Sequence, residues 1–406
     1  MITKTKTLKI AAIVFILSAV IPGLTFAETS LSKPSSVSSI TPSNNIPVTV
    51  PNPPDLNVKS YILIDARSGN VLAEKNSDTR LPPASLTKLM TLYIAAQDLK
   101  KGQIHMTDQV TISENAWRMG GSRMFIKVGS TVPLQQLIDG VVIASGNDAA
   151  FAIAEFIGGN EPSFVKQMNQ TAKDLNLENT NFSDSNGLPA DNHYSSAHDL
   201  SKLARSWILD LPEYYPWFQQ KWITFNGIKQ PNRNRLLWRD PSVDGMKTGH
   251  TDEAGYCFVG SAVRNDMRLI VVIMGAPSDS TRFNNAEALL NYGYRYYESH
   301  KLYSVDKPLT KKRVWFGKTK MLALGLKRDL YATTQVGDYK DLKASLIANK
   351  DLQAPIAKGQ IVGTVNVTLK DKIISSEPLV AMEDVERTGF FGSFFEHIAL
   401  FFHKIL

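Results

Sequence analysis

The chain has 406 residues, of which 43% are hydrophobic and 20% charged, and its formal net charge is +7. This apolar content excludes a wholly disordered chain, and the length predicts two or three domains. A single cysteine, Cys257, excludes an internal disulfide framework and a cysteine-based zinc site, and the seven histidines form no HExxH pair, so we expect no metal or other cofactor.

The N-terminus has the pattern of an export signal. Three lysines precede an apolar run over residues 10–24, which leads into a small-x-small sequence ending at Ala27. We predict a signal peptide over 1–27, with an uncleaved N-terminal anchor as the alternative. Outside this segment the basic excess is too small to predict a nucleic-acid partner. Residues 28–57 are rich in Ser and Pro without hydrophobic periodicity, which predicts a linker.

Residues 58–302 show alternating strand and helix patterns. Two short apolar runs around the turn-forming residues 65–70 predict a hairpin, and a second hairpin is predicted over 256–274. Helical patterns follow the prolines at 82 and 83 and recur later in the segment. The predicted helices are 85–99, 133–144, 148–158 and 282–298. Helices around an antiparallel sheet give an α+β arrangement.

The C-terminal part has a different character. Short apolar runs separated by Gly, Asn, Asp and Pro predict a small all-β domain over 303–385, with strands near 321–326, 342–347 and 361–369. Residues 386–406 carry six phenylalanines and form one apolar face when placed on a helix. Such a face usually packs on a core. At the end of the chain, an aromatic-rich amphipathic helix favours a membrane anchor instead.

One serine–lysine pair has a distinctive context. Ser85 and Lys88 are three residues apart at a predicted helix start, so their side chains share one face. A serine hydroxyl is a weak nucleophile until a base takes its proton, and a lysine with a lowered pKa can be that base. The SxxK pattern occurs four times, but only this copy is followed, in order, by residues 145–147 (SGN) and 247–249 (KTG).

These three motifs mark the serine enzymes that interact with penicillin. Residues 83–91 (PASLTKLMT), 145–149 (SGNDA) and 244–251 (DGMKTGHT) closely resemble the D-alanyl-D-alanine carboxypeptidases, the low-molecular-mass penicillin-binding proteins with a C-terminal membrane-anchoring helix. The resemblance implies a β-lactamase/transpeptidase-like catalytic domain. Gly146 stands where the SDN form of the second motif has Asp, which favours a carboxypeptidase over a typical β-lactamase.

The resemblance implies a role for each motif residue. Ser85 would attack the carbonyl between two D-alanines and form an acyl-enzyme, with Lys88 as its general base. Ser145 would relay the proton to the leaving amine. Asn147 would bind the substrate and Lys88, and the positive charge of Lys247 would keep Lys88 neutral.

The substrate ends in a carboxylate, which hydroxyl groups and arginines suit. Thr248 would bind it, Gly249 would allow close approach of the substrate backbone, and the backbone N–H of His250 would complete an oxyanion hole with that of Ser85. Arg282 and Arg233 match family positions thought to bind the carboxylate.

A further loop, over residues 186–197, resembles the family loop at the edge of the cleft. It makes His193 a candidate lining residue. It also places Ser196 as the cap of the helix that follows.

The leading hypothesis is therefore a serine-type D-Ala-D-Ala carboxypeptidase that trims peptidoglycan pentapeptides and binds β-lactam antibiotics covalently. We expect it to be exported and held at the periplasmic, outer face of the cytoplasmic membrane, with 386–406 on the membrane surface. A β-lactamase or a DD-endopeptidase is the nearest alternative. A penicillin-binding scaffold without turnover, and an adhesion or lipid-binding protein that acts through its terminal helix, are the others.

Overall fold

In the computed structural model of the chain, the structure describes residues 50–389 and Glu396. The predicted signal peptide, most of the predicted linker and most of the predicted terminal helix lie outside the described residues. The elements of the N-terminal part are, in chain order, β1 (Ser60–Asp65), β2 (Val71–Lys75), α1 (Lys88–Lys100), β3 (Gln109–Thr111), α2 (Glu114–Arg118), β4 (Thr131–Pro133), α3 (Leu134–Asp139), α4 (Asn147–Gly158), α5 (Glu161–Asp174), α6 (Ala197–Asp210), β5 (Trp222–Phe225), β6 (Ile228–Pro231), α7 (Leu236–Arg239), β7 (Val243–Thr251), β8 (Gly255–Arg264), β9 (Met267–Ala276) and α8 (Asp279–Tyr296).

The core of this part is a five-stranded antiparallel sheet in the order β2-β1-β9-β8-β7. Side chains alternate between the two faces of a strand. Ile62 and Val272 therefore pack in a cluster with α1, α4 and α6, whereas Leu63 and Val271 pack with α8 on the other face. Each is fully buried, which stabilises the fold by about 1.5–3 kcal/mol per side chain. The predicted α+β arrangement is confirmed.

The helix ends follow local capping. The predicted helix at 133–144 is α3 continued by a π-helical turn over Gly140–Ala144. Ser196 caps α6 as predicted, since its hydroxyl accepts from the Asp199 N–H. The last predicted helix begins earlier than its apolar pattern, because Ser278 accepts from the Thr281 N–H and starts α8 at Asp279.

The C-terminal part is all-β, as predicted. Its strands are β10 (Tyr297–Tyr303), β11 (Thr310–Trp315), β12 (Met321–Leu326), β13 (Leu330–Gln335), β14 (Leu342–Ala348), β15 (Leu352–Gln353), β16 (Ile361–Leu369) and β17 (Lys372–Ala381). Six of them form a sheet in the order β14-β16-β17-β12-β11-β15, and β10 pairs with β13. The predicted boundary at 302/303 falls within β10, and its position stays a prediction.

The two parts touch where the β1–β2 turn meets β13. The Ser68 hydroxyl lies 2.6 Å from the Thr333 hydroxyl, and the Asn70 side-chain amide donates to the Thr333 carbonyl. Arg67 donates to the Tyr331 hydroxyl. These hydrogen bonds hold the all-β part against the β1–β2 turn of the five-stranded sheet.

The last described residues pair with the all-β part. Arg387 forms a β-bridge with Gly317, and the Lys318 N–H donates to the Glu386 carbonyl. Glu396 accepts from the Phe316 N–H and from Lys320. The start of the predicted segment 386–406 therefore belongs to this β structure. No helix within the described part of the chain has the length and apolarity that a membrane span needs.

Candidate active site

Ser85 and Lys88 lie at the start of α1, where the chain turns out of the proline-rich loop. A 3₁₀ turn over Ala84–Thr87 leads directly into α1, so both side chains point to the same side. The Lys88 Nζ donates to the Ser85 Oγ over 2.8 Å, so the two side chains are within reach of a proton transfer; their roles as base and nucleophile stay a prediction. Lys88 is completely buried.

The pKa of Lys88 is lowered from its ordinary 10.5 to about 7. Burial is the main cause, because it penalises the charged form. The charge of Arg233 lowers the pKa further, while Asp184 and Asp148 raise it. A lysine with a pKa near neutrality is half unprotonated at pH 7 and can accept the proton of Ser85.

Ser145 lies opposite this pair, at the end of the π-helical turn. Its backbone is in the left-handed region (φ 58°), a conformation that non-glycine residues adopt rarely. The Lys247 Nζ donates to the Ser145 Oγ (2.9 Å) and to the Thr248 carbonyl (3.2 Å). Burial lowers the pKa of Lys247 well below its ordinary value, and the neighbouring charge of Lys88 acts in the same direction. The two ammonium groups therefore disfavour each other.

Asn147 connects the motifs. Its Oδ1 accepts from the Lys88 Nζ over 2.7 Å, and its Nδ2 donates to the Gly120 carbonyl over 2.7 Å. Asn147 begins α4, which fixes its backbone. The amide is therefore held at both ends, with its oxygen directed at Lys88.

Asp148, to which the sequence reasoning gave no role, ties the start of α4 to the segment around Met124. Its carboxylate is fully buried at the start of α4 and accepts from the N–H groups of Met124 (3.0 Å) and Phe125 (2.9 Å). An acid in the first turn of a helix is the signal that could have indicated it.

The KTG motif lies on β7, the edge strand of the sheet. A Cβ on Gly249 would lie 3.0 Å from the Pro83 carbonyl oxygen and 3.2 Å from the Ser85 nitrogen. Any larger residue at 249 would force the backbone before Ser85 to shift, so glycine suits the close packing of β7 against this turn. Thr248 is buried, whereas His250 is exposed and its ring lies 4.1 Å from that of Tyr256.

The two predicted arginines have different surroundings. Arg282 is buried under β7, where its Nη1 donates to the Gly249 carbonyl (3.0 Å) and its Nη2 pairs with Asp279. Arg233 follows β6, and its Nε donates to the carbonyl of Ala144 (3.0 Å), the residue before Ser145. Both charges therefore lie beside the motifs. Direct contact with a substrate stays a prediction.

The loop over residues 184–193 approaches Lys88 from a third side. The Asn186 carbonyl accepts from the Lys88 Nζ over 2.5 Å. His193, a candidate lining residue, is buried behind the site, where its Nε2 lies 2.8 Å from the Thr87 hydroxyl. Sequence reasoning missed Asn186 and Asp184. The family resemblance placed residues 186–197 at the edge of the cleft, but a backbone carbonyl acceptor leaves no residue-type signature, and the run DSNG indicates only a turn.

No group of three or more potential ligands (His, Cys, Asp or Glu) that could hold a metal occurs among residues 50–389 and Glu396. The side chains that meet at the site are those of Ser85, Lys88, Ser145, Asn147 and Lys247.

Two family models match the chain. One, described as D-alanyl-D-alanine carboxypeptidase, matches residues 47–278, and the other, described as Penicillin-binding protein 5, C-terminal domain, matches residues 297–387. Among curated proteins, D-alanyl-D-alanine carboxypeptidase DacA of Escherichia coli (strain K12) is 44% identical over 367 residues, which cover 88% of this chain and 91% of the relative.

Solved structures are similar as well. Penicillin binding protein 5 from Haemophilus influenzae is 44% identical, with a TM-score of 0.75, over 83% of this chain and 99% of the other. Penicillin-Binding Protein D2 from Listeria monocytogenes, solved in an ampicillin-bound form, is 30% identical, with a TM-score of 0.55, over 59% of this chain and 98% of the other.

Proposed function

The chain belongs to the D-alanyl-D-alanine carboxypeptidase family, which confirms the resemblance seen in its sequence, and from that premise we propose which residues carry the reaction. It is a penicillin-binding serine carboxypeptidase that removes the terminal D-alanine from peptidoglycan stem peptides. The observation that carries our assignment is the contact between the Lys88 Nζ and the Ser85 Oγ, together with the lowered pKa of Lys88.

We propose that acylation begins when neutral Lys88 takes the proton of Ser85. The Ser85 Oγ then forms a bond to the carbonyl carbon between the two D-alanines. The C–N bond breaks as Ser145, which Lys247 holds by hydrogen bond, passes its proton to the leaving amine; the proton that Lys88 took from Ser85 replaces it, so Ser145 is restored and Lys88 is neutral again. Free D-alanine departs, and water hydrolyses the ester on Ser85 to return the serine and the shortened peptide.

We further propose that the substrate lies along the free edge of β7. An edge strand presents unpaired backbone groups, which can bind an extended peptide. Thr248 and Lys247 would bind the terminal carboxylate, with Arg233 adding positive charge at the cleft. Arg282 already has protein acceptors, so its contribution is to hold Gly249 in place and to add charge from below. The backbone N–H groups of Ser85 and His250 would stabilise the oxyanion.

For its location, we propose that the chain is exported through 1–27 and held on the outer face of the cytoplasmic membrane by 386–406. The support is the composition of these segments. The domain limits 58–302 and 303–385 are likewise proposals.

The test is release of D-alanine from a diacetyl-Lys-D-Ala-D-Ala peptide by the purified chain, beside its Ser85→Ala variant. We expect release from the wild type alone, and loss of covalent labelling by a fluorescent penicillin in the variant. Labelling that persists in Ser85→Ala would place the nucleophile elsewhere. Labelling of Ser85 without D-alanine release would mean that the natural acyl donor is a different compound.

A further inference from the structure

Lys88 has a neutral acceptor that none of the three motifs supplies, the carbonyl of Asn186. Two contacts fix this carbonyl. On one side, a Cβ on Gly187 would lie 1.9 Å from the Ala84 carbonyl oxygen, so the loop is pressed against the residue before Ser85. On the other side, the Asp184 Oδ1 accepts from the N–H groups of Asn186 (2.9 Å) and Gly187 (2.5 Å). The carboxylate of Asp184 therefore determines where the Asn186 carbonyl points.

Asp184 is in turn held by His193. The Asp184 Oδ2 lies 3.4 Å from the His193 Nδ1, and the His193 Nε2 lies 2.8 Å from the Thr87 Oγ1. The Ser183 N–H also points to the His193 Nδ1 over 3.4 Å, so Nδ1 has two polar neighbours, and the tautomer decides whether Nε2 accepts from or donates to the Thr87 hydroxyl. The imidazole also packs edge-on against Phe182, with ring centroids 6.0 Å apart, which fixes its orientation.

The contacts form a closed ring. It starts at Thr87, the neighbour of Lys88, passes through His193 and Asp184 to the backbone of Asn186, and returns to the Lys88 Nζ. Lys88 and His193 are buried and Asp184 is partly buried, so the ring has little exposure to water. Neither Asp184 nor His193 touches Ser85.

We propose that Asp184 and His193 are positioning residues that act through the Asn186 carbonyl to orient Lys88 and to set its strength as a base. The inference rests on the proposed role of Lys88 as the base for Ser85. It assigns to this loop a part in the acylation step.

The charges around Lys88 give the effect a definite sign. Asp184 from this loop and Asp148 from α4 raise the pKa of Lys88, while Arg233 from the segment after β6 lowers it. The Lys247 amine faces it from β7, where burial and the charge of Lys88 lower the pKa of Lys247. Removing the charge of Asp184 therefore lowers the pKa of Lys88 and makes it a weaker base.

Asp184 is ionised in this setting. Burial by itself raises its pKa, but His193 and the N–H groups of Gly187 and Asn186 outweigh that effect and lower the pKa overall. Glu161 faces the same loop from α5, where it accepts from the N–H and hydroxyl of Ser185. Its pKa is raised, first by burial and to a smaller extent by the charge of Asp184.

The experiment measures the rate of Ser85 acylation by a fluorescent penicillin between about pH 5 and pH 9. Asp184→Asn removes the charge, Asp184→Glu keeps it, and Asp191→Asn removes an exposed carboxylate from the same loop as a matched control. The pH–rate profile has a plateau and an acid limb, the fall in acylation rate at low pH. For Asp184→Asn we expect the plateau rate to drop by about 10–100-fold and the acid limb to move to lower pH. Asp184→Glu should slow acylation with its acid limb in place, and Asp191→Asn should match the wild type.

A second measurement tests the connection through His193. His193→Gln should slow acylation, and adding it to Asp184→Asn should cost little more, because both changes break the same ring. If the two reductions in acylation rate multiply in the double variant, Asp184 and His193 act independently, and the proposed ring is wrong.

Thermal unfolding of each variant identifies any that fails to fold. If Asp184→Asn does not fold, Asp184→Glu and His193→Gln, which both keep a carboxylate at 184, carry the test. If Asp184→Asn is slowed by the same factor at every pH and its acid limb does not move, Asp184 has only a structural role. That result would overturn this inference and leave the proposed function standing. A wild type whose labelling does not depend on Ser85 would overturn the proposed function as well.

Discussion

Acylation of Ser85 should become steeply slower below neutral pH, because Lys88 must be unprotonated to accept the serine proton. With its ordinary pKa of 10.5, only roughly 0.03% of Lys88 would be neutral at pH 7. Its pKa of about 7 makes roughly half of it neutral. Burial, helped by Arg233, therefore increases the available base by roughly a thousandfold.

The same shift sets the size of the acid limb. Each pH unit below the pKa removes about nine-tenths of the neutral form, so acylation at about pH 5 should be roughly 100-fold slower than on the plateau. The assay is the initial rate of labelling by a fluorescent penicillin across this range. Lys88→Arg is the control, because a guanidinium stays protonated at every pH used and leaves Ser85 without a base.

Two results would refute this reasoning. A wild-type midpoint near pH 10 would mean that burial does not depress the pKa of Lys88. A Lys88→Arg variant that keeps both its rate and its acid limb would mean that another group takes the proton.

Four further changes have expected outcomes. Arg233→Gln removes a charge that lowers the pKa of Lys88, so the acid limb of acylation should move to higher pH; an unmoved limb would contradict the electrostatic role. Arg282→Ala removes the charge beneath Gly249, so it should reduce D-alanine release from a D-Ala-D-Ala peptide more than acylation by a β-lactam without a carboxylate, and equal losses would contradict this electrostatic role. Deletion of 390–406 spares the β-paired residues Glu386 and Arg387 and removes the Glu396 contacts with Phe316 and Lys320; it should release an active protein from membranes in a sedimentation assay, whereas retention would refute the anchor. Gly187→Ala should lower the free energy of unfolding by more than about 1 kcal/mol in denaturant titrations, because φ is +85° and the new Cβ meets the Ala84 carbonyl; an unchanged midpoint would show that the loop can move.

Much of the fold could be predicted because its signals are local. The hairpins β1–β2 and β8–β9 follow from apolar runs around turn residues, and Ser196 follows from its capping position. The shared face of Ser85 and Lys88 follows from helical spacing, although choosing this copy among four SxxK patterns required residues 145–147 and 247–249. In each of these cases the residues that determine the structure are neighbours in the chain.

The rest of the site depends on contacts between distant segments. Nothing in the residues near Arg233 indicates that its guanidinium lies against Ala144, 89 residues away in the chain. The Asn186 carbonyl is a backbone group, which every residue has, so its role in holding Lys88 has no sequence signature. The parallel pairing of β11 with β15 was equally beyond local patterns.

The acceptors of Lys88 fix the position of its Nζ without adding a negative charge beside it. All three acceptor atoms are neutral oxygens, those of Ser85, Asn147 and Asn186. A carboxylate in direct contact would stabilise the ammonium form and raise the pKa of Lys88, which would leave Ser85 without a base at neutral pH. Neutral acceptors orient the nitrogen without that penalty. Asp184, the carboxylate in the ring of contacts, binds the backbone N–H groups of the loop instead. Its charge therefore acts on Lys88 without direct contact. Three neutral acceptors can therefore orient a buried lysine while it remains a base.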